Sequence, residues 1–137
     1  YHDIDGLLTD EPGIVLATFY ADCVPLYFVD TRNRAVALAH SGWRGTVARM
    51  GRCVAEKMKE VYGTRPEDLT AAIGPSICRS CYEVSEDVAQ AFRDEFRKPG
   101  QTAQILDDKA AASTGWICGG PMRSSCRRQE SRQSGYR

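Results

Sequence analysis

Three apolar runs, each closed by a polar or glycine-containing turn, constrain the fold of this chain more than any other feature. Ile14 to Tyr20 follows the turn signal Glu11-Pro12-Gly13 and is rich in β-branched and aromatic residues, as buried strands are. Val24 to Val29 and Ala35 to Ala39 flank the polar stretch 30–34, so they are predicted to pair as a β-hairpin. The first third of the chain is therefore predicted to form a sheet.

Two reactive side chains follow these runs. Cys23 comes after the first run, and His40 comes directly after the third, seventeen residues later, where Gly42 and Gly45 begin a new segment. Strand ends that open into glycine-rich turns are where α/β proteins place their chemistry, because side chains there face a crevice on a rigid frame. The whole chain has two histidines, which makes His40 a candidate site residue.

The segments that follow predict helices and one more strand. Apolar residues at steps of three and four predict an amphipathic helix over 45–62, and Ser85 is the predicted N-cap of a second helix over 83–96. Leu69 to Ile73 is predicted to form a fourth strand between them. Hairpin strands combined with strand–helix units favour an α+β fold, a layered α/β sandwich with mixed sheets.

Composition argues against several classes of function. Eighteen basic and eighteen acidic residues give a net charge of zero, whereas general nucleic-acid binding needs a basic surface. No apolar run is long enough to cross a bilayer, so no membrane partner is expected. The six cysteines are irregularly spaced and do not form a disulfide framework, so the expected location is the reducing cytoplasm.

The end of the chain differs in character from the rest. Residues 110–137 hold five arginines and one glutamate, a net charge of +4 that offsets −4 in residues 1–109. Serine, glycine and arginine dominate, and neither strand nor helix periodicity is present. The pattern predicts a folded domain over 1–109 followed by a disordered basic tail over 110–137.

Four blocks, from Asp5 to about Phe96, resemble the laccase-domain family of YfiH type, whose members carry the names polyphenol oxidase and purine nucleoside phosphorylase. The blocks are Asp5-Gly6-Leu7-Leu8-Thr9, Ala21-Asp22-Cys23-Val24-Pro25, His40-Ser41-Gly42-Trp43-Arg44-Gly45, and residues 72–77 with Cys81-Tyr82-Glu83-Val84. The family usually has Ala where Ser41 stands. The resemblance implies a YfiH-like fold that this chain holds incompletely at both ends.

The resemblance also implies a metal site. In the family, a Cys and a His at the positions of Cys23 and His40 bind zinc together with a second His, which lies upstream of the Asp-Gly-Leu block. His2 is too close to Asp5 to match that residue, so two of the three ligands are expected here. Three protein ligands leave one zinc position open, as in catalytic sites. Asp22 beside Cys23 either orients a ligand or ends a strand.

The implied activity is that of an enzyme acting on small molecules, a purine nucleoside and phosphate. Zinc would lower the pKa of bound water to about 7, and hydroxide directed at C6 of a purine gives adenosine deamination. The resemblance equally implies phosphorolysis of adenosine and related nucleosides. Arg44 is the best-placed cation for phosphate, and it joins Cys23 and His40 as a candidate catalytic residue. Ser76, in the turn Gly74-Pro75-Ser76, either binds substrate near a phosphate-holding turn or belongs to a turn that ends a strand.

Two other functions stay open. One is a copper-dependent polyphenol oxidase that oxidises phenols. A multicopper centre needs many imidazole and thiolate ligands, which counts against this function because the chain has two histidines. The other is an inactive fragment, since one expected ligand and the family's C-terminal part are lacking. The oligomeric state cannot be inferred from the sequence.

The cysteines outside the metal site have weaker interpretations. Cys78 and Cys81 form a Cys-x-x-Cys pair, a spacing found in metal and redox sites. No second pair follows at zinc-finger spacing before residue 110, so the pair is interpreted as structural or incidental. Cys53 falls within a predicted helix and is interpreted as a packing residue.

The tail also departs from the family, whose members continue with an Asp-Leu-Trp-x-Ala-Asn motif. Reading the codons after Lys109 in another frame can restore this motif. Its Asp is forced, because the codon of Trp116 ends in G and that of Ile117 begins with AT. We therefore predict that residues 110–137 arise from a frameshift. Re-sequencing the gene across Lys109 should reveal a gained or lost nucleotide, and reproducible reads in the present frame would refute the hypothesis.

Overall fold

The chain forms two units, residues 1–76 and residues 77–137. The computed structural model describes residues 4–78, 81–97, 105–108 and 115–117. The first unit consists of β1 (Gly6–Thr9), β2 (Val24–Asp30), β3 (Ala35–Ser41), α1 (Trp43–Val47), α2 (Met50–Tyr62), a short 3-10 helix (Pro66–Asp68) and β4 (Leu69–Ile73). The second consists of α3 (Glu86–Glu95), β5 (Leu106–Asp108) and β6 (Gly115–Ile117). These elements confirm the predicted α+β class.

The first unit is built on a four-stranded sheet in the order β1-β3-β2-β4. β2 and β3 form the predicted hairpin, with pairs running from Val24–Ser41 to Asp30–Ala35. β1 pairs with the outer edge of β3, and β4 pairs with the outer edge of β2. All pairings between described strands, β5–β6 included, are antiparallel, so the parallel pairing of a mixed sheet is not found in the described part of the chain.

One face of this sheet is buried and the other is exposed. Alternate residues of β2 and β3 lie on opposite faces, as the pleat of a strand requires. The buried face carries Leu26, Phe28, Ala35, Ala37 and Ala39, and α2 packs on it through buried Val54 and Met58. The opposite face carries Tyr27, Val29 and Val36, which are exposed. His40 belongs to this second face, because its neighbours Ala39 and Ser41 are both buried.

The predicted strand from Ile14 to Tyr20 is wrong. This segment is irregular, and Val15 and Phe19 are 86% and 98% exposed. A β-branched and aromatic run is stable as a strand where it fits a pleated, half-buried surface, and composition alone does not supply that surface. The position beside β3 belongs instead to β1, which the sequence pattern did not predict as a strand.

The predicted helix over 45–62 is divided into α1 and α2. Arg49 separates them with a left-handed φ of 58°, a conformation that cannot continue a helix. The predicted end is correct, since Gly63 adopts φ 69° and its N–H donates to the carbonyl of Lys59. The fourth strand is confirmed at Leu69–Ile73. Within the described ranges, no helix has the length and apolar character needed to cross a membrane.

The second unit is smaller in its described part. Ser85 occupies the predicted N-cap position of α3, and Val88, Ala89 and Phe92 are buried along the helix. The ring of Phe92 stacks on that of Phe96 with centroids 5.8 Å apart. β5 and β6 pair as a two-stranded ribbon, so Gly115–Ile117 form a strand inside the segment predicted to be a disordered tail. The rest of that segment, 110–114 and 118–137, lies outside the described residues.

Asp30 fixes the turn of the β2–β3 hairpin. Its carboxylate is completely buried, and Oδ1 accepts hydrogen bonds from the backbone N–H groups of Arg32 at 2.9 Å and Asn33 at 3.0 Å. The Asn33 side-chain amide donates to Oδ2 at 2.7 Å. Chiefly because the backbone N–H of Asn33 stabilises the charged form, the pKa of Asp30 falls from 3.8 to about 2.

The Asp30→Asn variant should unfold more readily than wild type at neutral pH. A lowered folded-state pKa contributes stability that is complete above the unfolded value of 3.8 and is lost as pH falls through about 2. The unfolding free energy of wild type should therefore decline more steeply with falling pH over this range than that of the variant. The extra slope corresponds to the uptake of up to about one proton on unfolding. Denaturant unfolding at several pH values measures this. Glu56→Gln, which removes an exposed carboxylate, is the control, and equal slopes in wild type and Asp30→Asn would contradict the assignment.

Candidate functional site

His40 is held at the end of β3 by two contacts with Asp5. The backbone N–H of His40 donates to the Asp5 carbonyl at 2.8 Å, and His40 Nδ1 lies 3.0 Å from Asp5 Oδ1. The pairing of Gly6 with Ala39 explains this, since it places Asp5 opposite His40. A carboxylate only accepts hydrogen bonds, so in the neutral imidazole Nδ1 carries the proton and Nε2 keeps its lone pair. Asp5 thus fixes which nitrogen can bind a ligand.

Tyr20 restrains the same imidazole from another side. Its ring stacks on that of His40 with centroids 5.8 Å apart and planes inclined by 27°. The Tyr20 hydroxyl donates to the Ala39 carbonyl at 3.2 Å, so the phenol is tied to the strand that carries His40. A side chain held by a hydrogen bond on one nitrogen and by an aromatic ring has few rotamers left. The imidazole is therefore oriented before any ligand arrives.

The thiol of Cys23 and the imidazole of His40 converge at Gly42. A Cβ added to Gly42 would lie 3.4 Å from Cys23 Sγ and 3.6 Å from His40 Nε2. Both donor atoms therefore lie within 3.6 Å of a single point, which the absence of a side chain at Gly42 leaves open. The hairpin register produces this arrangement, because the Val24–Ser41 pair brings Cys23 beside Gly42. The structure thus brings together the two ligands expected from the sequence, although Cys23 precedes β2 rather than ending an earlier strand.

The donors at this point fit part of a zinc site. Zinc is bound by cysteine thiolate and histidine nitrogen, and a metal-binding histidine usually donates its other N–H to a carboxylate. Cys23, His40 and Asp5 correspond to these three roles. Among the residues that the structure describes, no group of three or more His, Cys, Asp or Glu side chains could hold a metal ion. Among the described residues, Cys23 and His40 are thus two candidate ligands, and His2 lies outside the described ranges.

Ser41 and Thr46 connect β3 to α1 on the face away from His40. Ser41 is buried, and its hydroxyl hydrogen-bonds with that of Thr46 at 3.0 Å, while Thr46 donates to the Gly42 carbonyl at 2.9 Å. This network fixes the chain immediately after the site. The departure from the family pattern at Ser41 consequently lies in the core and leaves the ligands untouched.

Arg44 is exposed and rests on an aromatic ring. Its guanidinium carbon lies 4.4 Å from the centroid of the Trp43 ring, within the range of a cation–π interaction. No hydrogen bond or ion pair in the described chain joins Arg44 or Ser76 to Cys23 or His40. The roles of Arg44 and Ser76 therefore stay predictions.

The turn after β4 has a structural role that limits its capacity for phosphate. The Gly74 N–H donates to the Pro25 carbonyl at 3.0 Å, and Pro75 has no N–H to offer. A Cβ at Gly74 would come within 2.8 Å of side-chain atoms of both Pro25 and Tyr27, so only glycine allows this close packing. Of the two interpretations of this turn, the structure favours a tight turn that ends a strand. Within Gly74-Pro75-Ser76, the exposed Ser76 is then the residue that could still donate a hydrogen bond to a ligand.

Asp5 and Tyr20 are the site residues that the sequence did not identify. The sequence left Asp22 open as a ligand-orienting carboxylate or a strand end, whereas Asp5, 35 residues from His40 in the chain, contacts the imidazole. Asp22 is exposed. The available signal was the block Asp5-Gly6-Leu7-Leu8-Thr9, which marked the segment without indicating a partner.

Replacing Asp5 should weaken zinc binding by this site. Loss of a carboxylate that orients a histidine ligand typically costs 10–100-fold in metal affinity, so we expect about that loss for Asp5→Asn. A competition titration against a chromophoric chelator measures the zinc dissociation constant. Asp22→Asn removes an equivalent charge close to Cys23 and should leave the constant nearly unchanged. Equal losses in the two variants would indicate a general charge effect and contradict the specific role of Asp5.

Comparison with known proteins gives a consistent result. The family described as multi-copper polyphenol oxidoreductase laccase matches residues 1–115. Purine nucleoside phosphorylase of Bacteroides thetaiotaomicron is 46% identical over 92 residues, which cover 67% of this chain and 34% of that protein. Adenosine deaminase RL5 of an unknown prokaryotic organism is 44% identical over 90 residues, covering 66% of this chain and 34% of that protein.

Solved structures share the fold. The crystal structure of YlmD from Geobacillus stearothermophilus matches with a TM-score of 0.75 at 32% identity, over 91% of this chain and 46% of that one. The crystal structure of the hypothetical protein YfiH of Bacillus licheniformis matches with a TM-score of 0.72 at 31% identity, over 90% of this chain and 44% of that one. The chain spans about a third of the length of the curated relatives it matches.

Proposed function

Since the chain belongs to the multi-copper polyphenol oxidoreductase laccase family, we propose that it is part of a zinc-dependent purine nucleoside enzyme. The observation that carries this proposal is that Cys23 Sγ and His40 Nε2 both lie within 3.6 Å of the Cβ position of Gly42. Relatives named purine nucleoside phosphorylase and adenosine deaminase support the substrate class. The reactions proposed are phosphorolysis of adenosine and related nucleosides, and adenosine deamination.

Cys23 and His40 would hold the zinc, and a third ligand would come from outside the described residues. When bound, zinc would act as a Lewis acid that activates water or polarises a substrate at neutral pH. Asp5 keeps the proton on Nδ1 and so keeps the Nε2 lone pair available. Tyr20 holds the plane of the ring, so binding a ligand costs little reorganisation.

Arg44 would bind the phosphate used in phosphorolysis. A guanidinium presents paired N–H donors that match two oxygens of a phosphate, and its stacking on Trp43 limits the directions it can take. Because deamination consumes water and not phosphate, this role predicts that phosphorolysis depends on Arg44 more than deamination does. Ser76 would contribute a hydroxyl to substrate binding. Its exposure is compatible with that role.

The copper-dependent polyphenol oxidase is the second candidate, favoured by the description that the family carries. A mixed thiolate and imidazole pair also suits a single copper ion. A multinuclear copper centre needs many more imidazoles than the one that the described residues provide. The donors on the described residues therefore agree better with one metal ion than with a multinuclear copper centre.

The zinc-loaded, full-length parent protein should convert adenosine in the presence of phosphate to adenine, to inosine, or to both. Chromatographic product analysis measures each. Because Cys23 and His40 would supply two ligands, Cys23→Ala and His40→Ala should each abolish both products. Cys53→Ala, which removes an exposed thiol on α2, should retain them. Absence of turnover in a folded, zinc-replete parent would overturn the proposal, and phenol oxidation that persists after zinc loading would favour the copper enzyme.

Arg44→Gln gives this experiment a second readout. The Michaelis constant for phosphate in adenine formation should rise, while the rate of inosine formation should stay close to that of wild type. Arg52→Gln is the matched control, since Arg52 is also exposed and forms a surface pair with Glu56 at 2.7 Å. Identical effects of the two substitutions would remove Arg44 from the phosphate site.

A further inference from the structure

Cys78 and Cys81 are held in contact on the surface of the second unit. Their sulfur atoms are 3.0 Å apart, and both residues are exposed. The sequence interpretation treated the Cys-x-x-Cys pair as structural or incidental. A structural thiol is usually buried and inert, whereas reactive cysteines lie in accessible positions. Exposure combined with contact between the two sulfurs calls for a different interpretation.

The backbone holds the two thiols on the same side of a turn. The N–H groups of Cys81 and Tyr82 each donate to the carbonyl of Cys78 at 3.1 Å. This turn folds the chain back so that the sulfurs meet. A disulfide has an S–S length of about 2.05 Å, so closing the bond from the observed separation requires a movement of about 1 Å.

We propose that Cys78 and Cys81 form a redox-active dithiol, which closes reversibly to a disulfide by exchange with a low-molecular-weight disulfide. One thiol loses its proton to solvent and attacks a sulfur of that molecule, releasing one thiolate and leaving a mixed disulfide. The second thiol, after losing its proton, attacks the protein-side sulfur and releases the other thiolate. Two protein thiols are oxidised by two electrons, and one small disulfide is reduced to two thiols.

The neighbouring thiol is what distinguishes this pair from the other described cysteines. Cys53 directs its sulfur to the backbone carbonyl of Ala48 at 3.5 Å, and Cys23 lies in the candidate metal site. A mixed disulfide formed at Cys53 is therefore expected to persist. A mixed disulfide at Cys78 or Cys81 meets a second thiol already in contact, and the intramolecular step has a high effective concentration. Intramolecular closure is therefore favoured over a second external addition.

The proposed thiol exchange and the proposed nucleoside activity use different residues. The pair precedes α3, and the chain between them leads through buried Val84 to the N-cap residue Ser85. The ligands Cys23 and His40 belong to the other unit. The thiol exchange, as written above, involves neither zinc nor a nucleoside.

Peptide mapping tests the proposal directly, because Arg79 places a trypsin site between the two cysteines. The reduced full chain is equilibrated with mixtures of reduced and oxidised glutathione, quenched with acid, alkylated and digested. In the disulfide form, peptides 60–79 and 80–93 remain joined, whereas in the dithiol form they separate. We expect the joined species to exceed singly glutathionylated forms by at least about tenfold, and to disappear when dithiothreitol is added.

Three controls make the result decisive. In the Cys78→Ser variant, Cys81 should be found as a glutathione adduct. In the Cys53→Ser variant, the amount of the joined species should equal that of wild type. The same equilibration in concentrated guanidinium chloride should lower the ratio of joined to adduct forms, because the turn that holds the sulfurs together is lost. Separate adducts at both cysteines of the native chain, or an equal ratio in denaturant, would overturn the proposal whether or not the protein acts on nucleosides.

Discussion

The antiparallel register between β2 and β3 is the constraint on which the candidate site depends. It places Pro25 opposite His40, and it brings Cys23, two residues earlier, beside Gly42. The same alternation that buries Ala39 in the core directs His40 to the opposite face. Core packing against α2 and the position of the donors are thus consequences of one pairing pattern. No separate element is needed to bring the thiol and the imidazole together.

Residues outside the hairpin set the tautomer and the orientation of the imidazole. Asp5 arrives through the pairing of β1 with β3, and its carboxylate sets the proton on Nδ1. Tyr20 arrives through an irregular segment and holds the plane of the ring. Gly42 has no side chain, and this leaves space beside both donor atoms, which a side chain there would contact. The hairpin positions the thiol and the imidazole, and residues outside the hairpin fix the tautomer and the orientation of the imidazole.

Local patterns in the sequence predicted the elements that depend on local interactions. The hairpin, β4 and the start of α3 follow from turn residues, short apolar runs and a serine at the N-cap position, all of which are local signals. Ile14 to Tyr20 has the composition of a strand, but whether a run becomes a strand depends on a partner that is distant in sequence. Asp5 was missed for the same reason, since its contact with His40 spans 35 residues. The left-handed conformation of Arg49 could not be predicted from the sequence, because arginine usually favours helices.

The hairpin also makes the number of residues in its strands a strict requirement of this region. One residue inserted into β3 before His40 would reverse the parity of the strand and turn the imidazole towards α2, while an alanine would take its place outside. The pairing therefore fixes the number of residues within β2 and β3, and gaps in related chains should accumulate outside these two strands.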